Sequence, residues 1–309
     1  MLQYMDSATK QIARLALTAV LYEASAAPKP GLVDPFSSGA HSDMDYFTFL
    51  ASAASLAPWL ERFARLGYLH KGEPEALLPV LREEGKHAEA AMFDATQGVN
   101  THKGLIFSMG LVCAAVGYLY ADKNAKKSLE TAHPVHNLGA SEICQTASAI
   151  VKGIIERDFG SLDCARNNVT TLSNANLTVG EKLFLAYKVR GIRGEAEDGF
   201  PSALKFGLPT LRARLAVGFS WNDALIDTLL VLFSEVEDTN VLGRAGYDGL
   251  AYMRSEAKTA IQLGGMANKK GRKTIRTMDA KFIERNISPG GCADLLAITA
   301  FLQLIEKEI

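Results

Sequence analysis

The sequence predicts an all-α fold in one compact domain spanning residues 1–309. Apolar residues recur at helical spacing along most of the chain, and period-2 alternation bounded by hairpin signals is convincing nowhere. No internal repeat of fixed period interrupts the pattern, and the length suffices to bury a large core.

In 8–27, Ile12, Leu15, Ala19 and Tyr22 fall at i, i+3, i+7 and i+10, an apolar stripe. Ser42 followed by Asp45 resembles a capping box, opening a helix over about 44–66 with Phe47, Leu50, Ala54 and Ala57 on its inner face. Residues 69–85 are more charged and less periodic, and 86–95 reads as a further helix ended by Gln97-Gly98. The stretch 105–120 is apolar on nearly all sides, which predicts a buried central helix. Residues 122–137 are polar and read as a surface connection. Ile143, Ala147, Ile150 and Ile154 then repeat at helical spacing, and Thr178 with Glu181 forms a second capping box before 183–189. Apolar stripes over 221–236 and 250–261 and a largely apolar helix at 295–305 complete the set.

The net charge of −1 carries no electrostatic footprint for nucleic acid. Apolar runs such as 111–121 are too short to span a bilayer, and the opening MLQYMDSATK lacks the pattern of a secretory signal. Cys113, Cys144, Cys164 and Cys292 are scattered, which suits neither a zinc site nor a disulfide framework and is compatible with a reducing cytosol. The expectation is a soluble cytoplasmic protein with no membrane partner; its oligomeric state is left open, a homo-oligomer included.

Five polar stretches punctuate the helices. Residues 28–45 (PKPGLVDPFSSGAHSDMD) hold three prolines and two glycines, so they read as an ordered loop, and a loop of that length in a compact domain points to function. Lys29 and His41 there can meet an anion; Asp34, Asp43 and Asp45 can meet a cation or accept a proton. The others are 97–104 (QGVNTHKG), 190–201 (RGIRGEAEDGFP), 237–246 (EDTNVLGRAG) and 285–294 (RNISPGGCAD). Each precedes an apolar segment, an arrangement that gathers helix N-termini around an anionic ligand.

Asn100, Thr101, His102 and Lys103 stand at the start of the buried helix, where backbone N–H groups and an ammonium point the same way. Glu195 and Glu197 are two apart: on a helix they face different sides, whereas in a turn or extended segment both reach one metal. The bland alternative for them is a solvated charge cluster. Glu237, Asp238, Thr239 and Asn240 follow a strongly apolar helix. Negative charge at a helix C-terminus opposes the macrodipole and calls for a compensating cation, a metal or Arg244.

Taken together, six runs resemble one family, the ATP:dephospho-coenzyme A triphosphoribosyltransferases, also called triphosphoribosyl-dephospho-CoA synthases. The runs are 28–34 (PKPGLVD), 39–47 (GAHSDMDYF), 98–104 (GVNTHKG), 193–201 (RGEAEDGFP), 238–242 (DTNVL) and 285–296 (RNISPGGCADLL). They lie in the family's order and span almost the whole chain. The departures are Pro35 in place of a basic residue, Gly243 and Ala245 around Arg244 in place of a His and a Gly, and Cys292 in place of a common Ser. The missing His after Leu242 removes acid–base chemistry from that position.

The resemblance implies transfer of the triphosphoribosyl unit of ATP to the ribose 2′-hydroxyl of 3′-dephospho-CoA, with adenine leaving. The product is the prosthetic-group precursor for the acyl carrier subunit of citrate lyase or malonate decarboxylase, handed on to a holo-acyl-carrier-protein synthase. Displacement at an anomeric carbon passes through an oxocarbenium-like centre and asks for a held triphosphate, a carboxylate base and assistance to the leaving adenine. On that basis Glu195, Glu197 and Asp238 are expected to supply catalysis and to bind Mg²⁺, with Asp43 and Asp45 as further metal candidates. Lys29, His102, Lys103, Arg193 and Arg285 are expected at the phosphates, with His41, Asn100 and Asn240 completing the nucleotide site. The rivals are an ATP or ADP-ribose N-glycosidase, in which water replaces the hydroxyl, and a non-catalytic helical nucleotide or acyl-carrier binding protein.

Overall fold

Helices follow one another from α1 (Leu2–Ser25) to α13 (Gly290–Glu308) in a computed structural model that describes residues 2–127, 138–165 and 177–309. Among the described residues there is no strand; one isolated bridge pairs Asp34 with Ser37. The expected all-α class therefore holds. Between the terminal helices come α2 (Tyr46–Leu69), a 3₁₀ turn at Pro74–Leu77, α3 (Leu78–Ala95), α4 (Lys103–Lys127), α5 (Ala140–Ile150) and α6 (Ile154–Ala165). Then follow α7 (Val179–Tyr187), α8 (Gly191–Glu197), a π-helical turn at Ala203–Gly207, α9 (Leu208–Ala216), α10 (Trp221–Glu235), α11 (Thr239–Gln262) and α12 (Lys269–Glu284).

The expected box at Thr178 and Glu181 caps α7 as drawn from the sequence. The one before α2 is shifted: Asp45 is the N-cap and Thr48 its reciprocal partner, with Ser42 outside the motif. The inner face shifts with it. Phe47 is 75% exposed and Ala54 is also exposed, whereas Ser52, Ala53, Leu56, Leu60, Phe63 and Ala64 turn inward. α3 begins well before residue 86, because Pro74 and Pro79 sit in first-turn positions where a missing N–H costs nothing. The 143–154 stripe is two helices, broken at Gly153, whose φ is +72°. Residues 122–127 continue α4, and the rest of the expected 122–137 connection lies outside the described residues.

One buried apolar cluster runs from Ile12 in α1 to Ile309 behind α13. At its centre α2 lies against both α1 and α4. α2 and α4 meet almost backbone to backbone: a β-carbon on Gly67 would stand 1.9 Å from the Ala114 carbonyl oxygen, and one on Gly117 would stand 2.1 Å from that of Ala64. The segment Lys103–Asn124 of α4 is long and apolar enough to cross a bilayer, longer than the runs read from the sequence. In its most apolar window 78% is buried inside the protein, so α4 is the core helix its composition predicted.

Candidate active site

Each of the six family-like runs contributes to the wall of one cavity of about 920 Å³. That volume falls in the range of small-molecule sites. The loop between α1 and α2 forms one side, and the first turns of α4, α11 and α13 form the floor with α8 opposite. The loop is held in shape by Asp34, whose carboxylate accepts the backbone N–H groups of Lys29, Phe36 and Ser37 at 3.0, 2.8 and 3.0 Å. Asp34 is thus spent on the turn.

Lys29 lines the cavity but is buried, its ammonium donating to the Glu23 carboxylate at 2.6 Å and to the Glu23 carbonyl at 2.7 Å. Such a pair survives burial only because both charges are matched, and removing one member costs about 3–5 kcal/mol. Lys29 therefore positions the wall and has no free charge for a phosphate. Beside it His102 is 2% exposed. Its Nδ1 lies 2.6 Å from Ser52 Oγ, which receives the Thr101 hydroxyl at 2.7 Å. With the Thr101 proton arriving at Ser52, the Ser52 proton is free for Nδ1, which leaves Nε2 as the N–H. His102 Nε2 has no partner among the described residues. Burial, then the Lys29 charge, push the imidazole down to about 3, so it is a neutral hydrogen-bond donor rather than a cation.

Asn100 caps the turn into α4, accepting the Lys103 N–H at 3.3 Å. Lys103 stands half-exposed on the wall with its ammonium 2.9 Å from Glu89. His41 hydrogen-bonds Ser288 at 2.7 Å and lies 3.7 Å from Asp43. Burial and then the Arg244 charge hold its imidazole below the ordinary value, with Asp43 acting the other way. Arg244 ties the loop to the end of α12, donating to the carbonyls of Ala40 and Asn286 and to the Asn286 side chain.

α8 settles the two glutamates. The sequence left a turn or extended segment open, which would have brought both to one metal; 191–197 is helical, so the two diverge. Glu195 faces the cavity and accepts the Ser202 hydroxyl and N–H. Burial is the main cause that raises its carboxyl above the ordinary value. Glu197 points off the wall, 3.8 Å from Arg190.

Asp238 lines the floor, yet both its oxygens are taken. It N-caps α11 by accepting the Asn240 and Val241 N–H groups at 2.8 and 3.0 Å, and it accepts the Cys292 N–H of α13 at 2.8 Å. Two helix N-termini therefore supply compensating positive charge beside Asp238. Asn240 also lines the cavity, packed against Gly290.

Besides Glu197, three expected residues lie away from the wall. Arg193 pairs with Asp158 at 2.8 Å and covers the Phe159 ring. Arg285 lies over the Tyr252 ring, its guanidinium carbon 4.0 Å from the centroid. Asp45 is spent on the α2 cap. Glu23, Arg190, Arg244 and Asp294 line the cavity and were absent from the expected site. For Glu23 and Asp294 the available signal was a lone carboxylate among the apolar residues of a helix, a placement that costs folding energy unless it is used.

The wall carries more carboxylates than Lys and Arg side chains. Among the described residues no group of three His, Cys, Asp or Glu side chains is arranged to hold a metal ion, so the five expected ligands do not form a protein cage.

Compared with known families, residues 9–309 match CitG, the ATP:dephospho-CoA triphosphoribosyl transferases. A relative from Citrobacter koseri, a probable 2-(5''-triphosphoribosyl)-3'-dephosphocoenzyme-A synthase, is 41% identical over 297 residues, covering 96% of this chain and 90% of the relative. No solved structure matches the chain. The chain belongs to the ATP:dephospho-CoA triphosphoribosyl transferase family and is a transferase that moves a triphosphoribosyl group from ATP to dephospho-CoA.

Proposed function

We propose that the cavity is where the transfer takes place, and that ATP enters it as its Mg²⁺ complex. The observation that carries this reading is the convergence of all six runs on one cavity whose wall is richer in carboxylates than in fixed cations. A bare triphosphate would be repelled there. A divalent ion travelling with it neutralises that charge, and Mg²⁺ bridging phosphates needs only one or two protein carboxylates. Of the expected ligands on the wall, Asp43 accepts no backbone N–H group, and Glu195 accepts only one, that of Ser202 at 3.3 Å, whereas Asp238 accepts three. Lys103, Arg190 and Arg244 supply positive charge around the mouth, and the hydroxyl of Ser288 with His41 and Asn240 offers polar contacts to the ribose.

The product then serves as the prosthetic-group precursor for an acyl carrier protein of the citrate lyase or malonate decarboxylase type. A holo-acyl-carrier-protein synthase in the cytoplasm takes it over. The test is adenine release by the purified chain with ATP alone, with dephospho-CoA alone and with both, each with EDTA or added Mg²⁺. Transfer by this route gives adenine only with both substrates and Mg²⁺. Full activity in EDTA removes the metal, and adenine from ATP alone replaces transfer with hydrolysis.

A further inference from the structure

Among the described residues, Asp294 is the carboxylate on the cavity wall with no hydrogen bond and no ion pair. The others are engaged: Glu23 with Lys29, Asp43 with His41, Glu195 with Ser202, Asp198 with Arg190, Glu237 with Tyr247, and Asp238 with three backbone N–H groups. Asp294 projects from the start of α13 over the first turn of α4, where a β-carbon on Gly104 would stand 2.3 Å from its Oδ2. On the same wall stands His102, with its buried Nε2 also without a partner. An unspent acceptor and an unspent donor share one floor.

We propose that Asp294 is the base that accepts the proton of the attacking 2′-hydroxyl. This assignment rests on the reading of the cavity as the transfer site. In the step, the 2′-O–H bond breaks and its proton passes to Asp294. The new O–C1′ bond forms as the C1′–N9 bond of ATP breaks, and N9 keeps the electron pair. Adenine then takes a proton from solvent and Asp294 returns its own, so one proton moves in net from hydroxyl to adenine.

The surroundings suit the role. Burial, and then the charges of Glu23 and Asp238, push the Asp294 carboxyl well above the usual carboxylate range. A base is most effective when its pKa approaches the working pH. The charges that act on Asp294 are those of Glu23 from α1 and Asp238 at the start of α11, and Lys29 and His102 line the same cavity. Lys29 is already paired with Glu23 and His102 is neutral, so neither fixes Asp294 as an ion pair.

The experiment compares wild type, Asp294→Asn, Asp294→Ala and Gly243→Trp, the last plugging the cavity from an exposed position at its mouth. Adenine release from ATP and dephospho-CoA, ATP affinity and thermal midpoint are read for each. Asp294→Asn should lose about 10²- to 10⁴-fold in kcat, with ATP affinity and midpoint held or raised. Added formate should restore part of the turnover of Asp294→Ala, which a packing role would not allow. Wild-type turnover by Asp294→Asn with an inactive Gly243→Trp overturns the base and leaves the cavity as the site. Wild-type turnover by both overturns the site and the base together. A fall in midpoint with no formate rescue makes Asp294 structural and overturns the proposal.

Discussion

The carboxylate of Asp294 rests on the Cα of Gly104, where any β-carbon would come within 2.3 Å of Oδ2. Two helices that start at the cavity floor, α4 and α13, are thereby brought close enough to present a charge to the ligand. Gly104→Ala should leave the fold intact, since the obstructed atom ends a side chain that can swing aside and alanine is the better helix former by about 0.5–1 kcal/mol. Turnover should fall, because a displacement of about 1 Å in a reacting group can cost on the order of 10²-fold. The check is kcat beside the thermal midpoint. Wild-type kcat with an unchanged midpoint would show that the position of Asp294 is immaterial.

A second prediction concerns acid. His102 is neutral in the fold, pushed from 6.5 down to about 3 by burial and by Lys29. The unfolded chain takes up this proton near the ordinary value, so neutral His102 contributes stability that is present above pH 6.5 and lost as the pH falls towards 3. In that window one proton costs about 1.4 kcal/mol per pH unit. His102→Gln, which retains an acceptor for the Ser52 hydroxyl, should show a shallower loss of thermal midpoint on acidification. Parallel curves for the two proteins would mean that His102 titrates normally in the fold.

The fold was legible because its strongest signals are long and redundant. The all-round apolar α4 and the stripe of α1 allow one period and one outcome. α2 was misregistered for the opposite reason: with alanine and leucine on several faces, the pattern does not choose between Phe47 and Leu56 as inward residues. The cavity wall was legible as a set of loops, while the task of each side chain was not. Asp238 is a cap for two helices that meet only in three dimensions, and Arg193 and Arg285 find Asp158 and Tyr252 far from their own motifs. Asp294 lies within the run 285–296, but its freedom from partners is a property of the packed structure alone.

Lys103 offers a test at the mouth of the cavity. Its ammonium is half-exposed and its partner Glu89 lies at 2.9 Å, an arrangement that contributes little to stability. Lys103→Ala should leave the midpoint near wild type. It should weaken ATP binding by about 10- to 150-fold, the equivalent of one charge-assisted contact of roughly 1.5–3 kcal/mol. Glu89→Gln, which frees the ammonium, should bind ATP at least as tightly as wild type. Calorimetric titration decides it: an ATP dissociation constant indifferent to Lys103→Ala removes this residue from the phosphate site.

The last prediction separates Glu195 from Glu197. They are two residues apart on α8, yet one faces the cavity and the other does not. Glu197→Gln should be silent in turnover, because the side chain has only a long contact of 3.8 Å with Arg190, which keeps Asp198 as its close partner. Glu195→Gln keeps shape and a hydrogen bond to Ser202 but removes charge from the wall that receives the metal–triphosphate complex. It should lower turnover by about 10- to 150-fold, the range of a lost charge-assisted contact. Added Mg²⁺ should recover part of that loss. Stability should move the other way. The Glu195 carboxyl is raised, chiefly by burial, so the fold favours its protonated form, and the charged form becomes a cost as the pH climbs past the ordinary value of 4.5. At neutral pH the glutamine variant should therefore melt at or above the wild-type midpoint. Equal turnover for both variants would take the α8 carboxylates out of the reaction and leave Asp43 to meet the metal. A loss with Glu195→Gln that no concentration of Mg²⁺ relieves would move Glu195 from the metal to the reacting ribose, in direct competition with Asp294.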